Sequence, residues 1–337
     1  MNIMDYIYEK ARSRQVTVAF SEIEEEKILL AAKEAMEKGI CKPLLVGAKS
    51  TILESASKYN IDISGLLIWN CEEEDKVEEL IKEYVLKNPI YSEKSMKRKA
   101  KDSLYVALML EAIDQVDATF AGLSHTTGDV IMAGQMVVGL QEGVTTVSSV
   151  GIANIPGYKG SEGELLVIGD SAVCANPSAQ DLAGIAISAC DTTSTLLGWE
   201  PRCALVSFST TGSAEHELID KVRNAKEIAN QLRPDLKIDG EFQLDAAICP
   251  MVAAKKVTRE SGVAGKANII IWPDLNVGNI GVKLLQQFAH ADAYGPVLQG
   301  FKKVVCDCSR SAPVSELVGN IAISAVRAQG GKSNEGI

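Results

Sequence analysis

The stretch VTVAFSEIEEEKILLAAKEAMEKGICKPLLV, Val16–Val46, decides the class of fold. Its opening run, Val16–Phe20, is short, apolar and rich in β-branched residues, which predicts a buried strand. The amphipathic stretch Glu24–Lys38 follows and stops at Gly39, which predicts a helix that ends there. A second apolar run, Pro43–Val46, predicts another strand. A strand, a helix and a strand in this order indicate a βαβ unit with parallel strands.

The same alternation continues through the rest of the chain. The further predicted strands are Leu66–Trp69, Ala118–Gly122, Leu165–Gly169, Arg202–Ser209, a short one at Gln243–Ile248, Ala267–Trp272, Ala293–Leu298 and Lys303–Asp307. The further predicted helices are Ser50–Lys58, Glu72–Leu86, Lys94–Asp114, Asp129–Leu140, Ser178–Leu197, Ala214–Leu232, Asn276–His290 and Pro313–Ala328. We therefore expect an α/β fold with mainly parallel sheets that helices cover on both faces.

The length of the chain favours more than one domain. Its 337 residues exceed what one hydrophobic core usually supports. A turn-rich segment, Asn154–Gly163, interrupts the alternation before it restarts. We therefore predict two three-layer α/β domains with an active-site cleft between them.

Composition excludes several classes of protein. The net charge of −10 argues against nucleic-acid binding, although a few basic residues can still gather around a small anion. Apolar runs are too short to cross a bilayer, and Met1–Asp5 does not begin a secretory signal, so we expect a cytoplasmic protein without a membrane partner. The eight cysteines are expected to be free thiols. The tail after Gln329 is expected to be disordered.

Common cofactor motifs are incomplete. Gly262–Ala267 contains a Gly-Lys pair, but Glu260 and Ala267 stand where a phosphate-binding Walker loop needs Gly and Ser or Thr. The first strand is not followed by the glycine pattern of a dinucleotide site. The three histidines are scattered along the chain. We therefore predict neither a metal nor a bound cofactor.

Four loops mix glycine with short hydroxyl or amide side chains directly before a helix. Two interpretations stay open for each loop, since main-chain N–H groups beside a helix N-terminus bind anions, whereas Ser, Thr, Asn and Asp are also good N-caps. The loops are Gly122–Thr127, Ser207–Ser213, Pro273–Asn279 and Asp307–Glu316.

Several ordered segments resemble the phosphate acetyl- and butyryltransferase family, and the likeness covers nearly the whole chain. It is strongest from about Leu165 onward. The segments are Gly169–Ser178, Leu182–Ala189, Ser207–Ser213, Ile238–Ala247, Val263–Asn268, Pro273–Asn279, Gly295–Gly300 and Asp307–Arg310. Their common order and spacing make the resemblance more specific than any one motif.

The resemblance implies a second domain inserted into the first. This gives an N-terminal α/β domain of residues 1–150 plus 300–337 and an inserted domain of residues 151–299. It also implies a homodimer and a reversible reaction, in which acyl-CoA and phosphate give an acyl phosphate and coenzyme A. The small-molecule partners are then coenzyme A, acetyl-CoA, acetyl phosphate and phosphate, with coenzyme A serving as substrate and no resident cofactor.

The resemblance also implies site residues. Ser309 and Arg310 match active-site residues, and Glu316 on the last helix stands where the family has an aspartate that deprotonates the coenzyme A thiol. Arg310 suits a phosphate because its planar guanidinium binds two oxygens at once. The residues predicted to bind substrate are Ser124, His125, Thr126, Thr127, Ser209, Thr210, Thr211, Gly212, Ser213, Asn276, Gly278 and Asn279. Structural alternatives remain for three of these positions: a turn or cap for Ser309, a helix-dipole role for Glu316 and a hydrogen-bonded loop position for His125.

Two basic residues of the family pattern are missing or displaced. Asp129–Met136 contains no arginine, and a second arginine, upstream of Lys101–Tyr105, is displaced to Lys87 or absent. Lys97, Arg98 and Lys101 are candidates to replace them, and a solvated basic face is the alternative. Three functions therefore stay open: acetyl transfer, transfer of longer acyl groups, and a catalytically weakened protein that binds coenzyme A or an acyl phosphate.

Overall fold

The computed structural model describes residues 3–330 and divides the chain into two compact units. The first unit contains the residues up to Gly139 and those from Phe301 onward, and the second contains Leu140–Gly300. Apart from Gly330, the tail predicted to be disordered lies outside the described residues. The helices between residues 3 and 330 are all too short or too polar to span a membrane.

The elements alternate along the chain. The helices are α1 Ile3–Ser13, α2 Glu26–Glu37, α3 Lys49–Lys58, α4 Glu74–Lys87, α5 Glu93–Lys99, α6 Ser103–Ala112, α7 Thr127–Val137, α8 Ala179–Leu197, α9 Glu217–Leu232, α10 Leu244–Ile248, α11 Pro250–Lys256, α12 Leu275–Phe288 and α13 Val314–Gly330. The strands are β1 Thr17–Phe20, β2 Lys42–Gly47, β3 Leu67–Asn70, β4 Ala118–Ala121, β5 Ser148–Asn154, β6 Leu165–Gly169, β7 Arg202–Val206, β8 Lys237–Phe242, β9 Ile269–Ile271, β10 Asp292–Gln299 and β11 Val304–Asp307.

The first unit is built on a fully parallel sheet with strand order β11-β4-β1-β2-β3. Every residue of the inner strand β4 is buried. Successive strand residues point to opposite faces, so both faces of the sheet are covered. Both α6 and α13 pack against β1 and β4, and the rings of Phe20 and Phe120 lie 5.5 Å apart in the core.

The second unit is built on a sheet with strand order β10-β5-β6-β9-β7-β8. The four strands from β6 to β8 in this order are parallel, whereas β5 pairs antiparallel with both β10 and β6. Phe242, Ile270 and Trp272 belong to its buried core. The prediction of an α/β fold with mainly parallel sheets is therefore confirmed.

Some predicted elements are wrong or were missed. The short strand predicted at Gln243–Ile248 is wrong. The strand of this region is β8, which ends directly before this segment, and the segment itself forms helix α10. The helix predicted over Lys94–Asp114 is two helices, because the side chain of Asp102 accepts a hydrogen bond from the N–H of Leu104 and so begins α6. Helices α1 and α11 and strands β5 and β8 were missed.

The chain crosses between the units twice, and each unit ties its own two ends together. Gln141 donates its main-chain N–H to the carbonyl of Gly300 at 2.9 Å, within the second unit. Lys302 donates to the carbonyl of Gly139 at 3.0 Å, within the first. A main-chain hydrogen bond therefore joins the two ends of the second unit. The assignment of residues 1–150 plus 300–337 and 151–299 to two domains stays a prediction.

Candidate active site

A buried carboxylate holds the loop between β4 and α7. Glu22 follows β1 and is only 2% exposed. It accepts hydrogen bonds from the main-chain N–H groups of Gly122 at 3.1 Å, Leu123 at 2.7 Å and His125 at 2.9 Å. The parallel strands β1 and β4 have their carboxyl ends at one edge of the sheet, so Glu22 fixes the loop at the edge where α/β proteins bind ligands.

The ring of His125 lies between two carboxylates and contacts both. Its Nδ1 lies 2.9 Å from Glu22 Oε1, and its Nε2 lies 3.2 Å from Asp102 Oδ2. Burial opposes the charged ring, but the hydrogen bonds to Glu22 and Asp102 outweigh it and raise the pKa of His125. Both ring nitrogens therefore have protein partners, the arrangement expected of a hydrogen-bonded loop histidine. Its contact with substrate stays a prediction.

The hydroxyl groups of this loop also have protein partners. Ser124 donates to Glu25 at 3.0 Å. Thr126 caps α7 through a reciprocal pair of hydrogen bonds with Asp129. Thr127 donates to Asp307 Oδ2 at 2.7 Å, which connects the loop to the end of β11. These hydroxyls shape the loop. The contribution of the loop to substrate binding therefore has to come from its exposed atoms.

Gly122 allows the β4–α7 loop and the end of β11 to approach closely. Its φ is +118°, a conformation that favours glycine. A Cβ atom at this position would lie 2.5 Å from both Asp307 Oδ1 and the main-chain nitrogen of Cys308. Any larger residue here would therefore separate Thr127 from Asp307.

Asp307, Ser309 and Arg310 lie on the loop that follows β11. Burial raises the pKa of Asp307 to about 6. Ser309 forms a turn, because its carbonyl accepts from the N–H of Ala312 at 3.0 Å and its hydroxyl lies 2.9 Å from that of Ser311. Within residues 3–330 the exposed guanidinium of Arg310 has no hydrogen-bond or ion-pair partner. It is therefore available to an anion.

Glu316 is exposed in the first turn of α13. Its carboxylate has no hydrogen-bond or ion-pair partner in the described part of the chain. The first unit thus contains two predicted catalytic side chains that are open to a ligand, Arg310 and Glu316, and a third, Ser309, whose hydroxyl is shared with a neighbour.

In the second unit, the loop Ser207–Ser213 is also organised by a buried acid. Glu241 accepts from the hydroxyl of Ser209 and the main-chain N–H of Gly212, both at 2.9 Å. Burial opposes ionisation of Glu241, but the hydrogen bonds from Gly212 and Arg223 outweigh it and lower its pKa. Ser209 and Thr210 are buried.

The other hydroxyls of this loop are bonded inside the protein. Thr210 accepts from the N–H of Gln243 at 2.8 Å, and Ser213 accepts from the N–H of Thr210 at 3.0 Å. Thr211 donates to the carbonyl of Lys256 at 3.0 Å. The binding roles predicted for these residues are not tested by these contacts.

The N-terminus of α12 packs against the end of β6. Asp274 caps the helix by accepting from the N–H of Val277 at 3.1 Å. A Cβ atom on Gly278 would lie 2.2 Å from the carbonyl oxygen of Asp170, so this contact requires glycine. Asn279 donates to the carbonyl of Ser171 at 3.3 Å, and Asn276 is exposed.

Sequence reasoning missed the acids that build these loops. They share one position: each lies at the end of a strand or just past it, where its carboxylate accepts from a loop at that edge of the sheet. They are Glu22, Asp170, Glu241 and Asp307. An acid at the carboxyl end of a predicted buried strand was the signal that could have found them.

Some of the basic residues that could replace the missing arginines form ion pairs with other residues. Lys87 forms an ion pair with Glu83 at 3.2 Å, and Lys97 forms one with Glu78 at 2.7 Å. Arg98 and Lys101 are exposed. Lys101 directly precedes Asp102, the partner of His125, and is therefore the member of this group that lies closest to the loop in sequence.

Parallel α/β units with polar loops at the carboxyl ends of their strands define a class of proteins that bind small anionic ligands at those loops. The sequence model of the phosphate acetyl/butaryl transferase family matches residues 2–325, and the chain belongs to that family. The resemblance seen in the sequence is thereby confirmed.

Individual relatives are similar over nearly their full length. The chain is 40% identical to a phosphate acetyltransferase of Clostridium acetobutylicum, over 98% of this chain and 100% of that protein. It is 39% identical to a phosphate acetyltransferase of Thermoanaerobacterium thermosaccharolyticum, with the same coverage. The solved structure of EutD phosphotransacetylase from Staphylococcus aureus matches with a TM-score of 0.87 and 29% identity, over 97% of this chain and 98% of that one.

Proposed function

We propose that this protein is a phosphate acetyltransferase, which moves an acetyl group reversibly between coenzyme A and inorganic phosphate. The observation that carries the proposal is the 40% identity to an enzyme of that name over 98% of this chain and the whole of that one. The exposed guanidinium of Arg310, which has no partner within residues 3–330, supports it, because the reaction needs a cation that is free to bind a phosphoryl group.

We assign direct transfer in a ternary complex. The sulfur of coenzyme A attacks the carbonyl carbon of acetyl phosphate, a C–S bond forms, the C–O bond to phosphate breaks, and phosphate leaves. Arg310 binds the phosphoryl oxygens, and Ser309 donates a hydrogen bond to the oxygen that gains charge. Acetyl-CoA and phosphate react by the same steps in reverse.

Glu316 is assigned as the base that takes the thiol proton. A thiol with a pKa near 8.5 is mostly protonated at neutral pH, so a carboxylate beside it raises the fraction of reactive thiolate. Glu316 is exposed and has no partner within residues 3–330, which suits contact with a substrate. A cysteine nucleophile is less suited, because burial raises the pKa of Cys174, and that of Cys306 to about 12.

The substrate-binding loops act mainly through their main chains. Because most of their hydroxyls are bonded within the protein, we assign recognition of coenzyme A and phosphate to exposed main-chain N–H groups and to side chains such as Asn276. The proposed binding residues remain Ser124–Thr127, Ser209–Ser213, Asn276, Gly278 and Asn279, with most of the hydroxyls in shaping roles.

We also propose a homodimer and two domains, residues 1–150 plus 300–337 and residues 151–299, a division close to that of the two compact units. One apolar stripe on α12 supports the homodimer: Ile280 is 58% exposed, Leu284 50% and Phe288 81%. A second copy covering this stripe would remove it from water.

Formation of the thioester from coenzyme A with acetyl, propionyl and butyryl phosphate in turn tests the function. We expect the highest kcat/KM with acetyl phosphate and the same rate after treatment with a chelator. Preference for butyryl phosphate would replace the acetyl assignment by one for longer chains. No thioester with any acyl phosphate would contradict the proposed function and favour a binding role.

A further inference from the structure

Lys27 contacts the loop that carries Ser309 and Arg310. It lies in the first turn of α2, and its side chain is partly buried. Its Nζ donates to the main-chain carbonyl of Arg310 at 3.2 Å and to that of Ala312 at 2.9 Å. One ammonium group thus binds the chain on both sides of Ser311.

The ammonium of Lys27 differs from the other lysines of this helix. Lys33 lies 3.9 Å from Glu37, and Lys38, just past the helix, lies 2.6 Å from Glu34. Among the described residues, Lys27 has no carboxylate partner, and both of its hydrogen bonds go to carbonyl oxygens of this one loop. An ion pair on the helix surface therefore does not account for its position.

The contact reaches Ser309 through the main chain. The peptide between Arg310 and Ser311 is planar and trans, so its N–H points away from its carbonyl. Lys27 binds that carbonyl, and the N–H of Ser311 lies 3.4 Å from the hydroxyl oxygen of Ser309, on the other side. The ammonium therefore fixes the peptide plane that faces the Ser309 hydroxyl and carries the Arg310 side chain.

We propose that Lys27 is a positioning residue for acyl transfer, which holds the Ser309–Ala312 turn so that Arg310 and Ser309 meet the phosphate. The inference rests on the proposed function. Lys27 acts through the loop and does not touch the substrate. A misplacement of about 1 Å at a reacting centre costs on the order of 10²-fold in rate, so loss of this contact has a large expected effect.

Three variants test the proposal: Lys27→Met, Lys27→Arg and the matched control Lys33→Met on the same helix. The rate is measured from acetyl-CoA and inorganic phosphate, with each substrate varied. For Lys27→Met we expect kcat/KM for phosphate to fall on the order of 10²-fold, with KM for acetyl-CoA changed by less than about twofold. Lys27→Arg should recover most of the loss, because a guanidinium can donate to both carbonyls. Lys33→Met should match the parent protein.

The double variant Lys27→Met/Arg310→Lys separates positioning from general destabilisation. If Lys27 acts through the turn that carries Arg310 and Ser309, Lys27→Met should cost much less activity in the Arg310→Lys background than in the parent protein. Independent, multiplying losses would overturn the proposal, and so would normal phosphate kinetics in Lys27→Met. If Lys27→Met does not fold, Lys27→Gln takes its place under the same criteria.

The phosphate-induced rise in melting temperature gives a readout without turnover. It should be present in the parent protein and in Lys33→Met, and reduced in Lys27→Met. An equal rise in Lys27→Met would overturn the positioning role. Absence of acyl transfer in the parent protein would instead refute the proposed function, so the two failures are distinguishable.

Discussion

At the scale of single residues, Arg310 combines a fixed main chain with an available side chain. Its carbonyl is bound by Lys27, whereas its guanidinium has no partner within residues 3–330. Its main chain therefore needs no further ordering when an anion binds, and only the side chain is then immobilised. The chemistry of the guanidinium itself should therefore decide activity.

Arg310→Lys keeps the positive charge but removes the planar pair of donors. We expect kcat/KM for acetyl phosphate to fall on the order of 10²-fold or more, because an ammonium cannot bind two phosphoryl oxygens in the same geometry. Steady-state kinetics measure the loss, and Arg12→Lys on α1 is the matched control. Activity within about threefold of the parent protein would show that charge alone suffices at this position.

Glu316 allows a catalytic role to be separated from a helix-dipole role. If Glu316 is the base, Glu316→Gln should lose most of kcat, whereas Glu316→Asp should keep a good part of it. A dipole role alone is worth roughly 0.3–1 kcal/mol, so Glu316→Gln would then unfold slightly earlier and retain its turnover. Measuring kcat and the melting temperature on the same preparations distinguishes the two. Unchanged kcat in Glu316→Gln would remove this residue from the mechanism.

Glu111 on α6 is expected to affect the free energy of unfolding and not the chemistry of the candidate site. It is fully buried, and burial raises its pKa to about 8 from an ordinary value of 4.5. The folded protein therefore keeps a proton that the unfolded chain releases above about pH 4.5. The contribution of Glu111 to the free energy of unfolding should fall as the pH rises towards 8, by about 1.4 kcal/mol per pH unit, and then stay level. Arg327, whose pKa burial lowers to about 10, remains charged in this range.

Glu111→Gln should remove this pH dependence. We expect the free energy of unfolding in urea to differ less between pH 5.5 and pH 8 in the variant than in the parent protein, with the variant more stable at pH 8. An identical difference in the two proteins would show that Glu111 is ionised in the folded state as it is in the unfolded one.

At the scale of elements, α12 carries the exposed apolar stripe. The only buried residue of this helix is Gly278, and Ile280, Leu284 and Phe288 are each at least half exposed within residues 3–330. We expect Leu284→Glu to turn the proposed homodimer into a monomer at micromolar concentration, measured by light scattering, because a charge is costly at a covered interface. Leu53→Glu, on α3, is the matched control, since Leu53 is also 50% exposed. A dimer that survives Leu284→Glu would place the interface elsewhere.

Strand β8 shows why some elements could not be predicted from the sequence. Its sequence, KIDGEF, contains two acids, yet most of it is buried. Arg259 neutralises Asp239 at 2.6 Å, and Arg223 approaches Glu241 at 3.2 Å. Hydrophobic periodicity detects strands such as β4, whose residues bury apolar groups, but it does not detect burial that depends on partners far along the chain.

The candidate site, like the strands, could be predicted only in part from the sequence. The loops themselves could be located, because glycine and hydroxyl residues follow strands that periodicity detects. The partners of those hydroxyls could not, since Thr127 and Asp307 are brought together only by the pairing of β4 with β11. Lys27 was missed for the same reason, because its contacts lie on a loop almost the whole chain away.

At the scale of the whole molecule, the two units differ in whether one continuous segment of the chain forms them. The second unit is continuous, from Leu140 to Gly300, whereas the first takes β11 and α13 from the end of the chain. In a chain truncated after Gly300, we expect limited proteolysis to leave a resistant fragment close to residues 140–300 and to digest the remainder. The full-length protein is the control. Equal resistance of residues 1–139 would show that β1–β4 are stable without β11 and α13.

The discontinuity of the first unit has a consequence for synthesis on the ribosome. Strand β4 leaves the ribosome long before its neighbour β11, and the whole second unit is translated in between. Because domains fold as units, the part of the chain that is made first should be the last to become native. Until α13 has been made, β1 and β4 lack the helix that packs against them, so a chaperone that binds exposed apolar surface should meet the N-terminal sheet of the nascent chain.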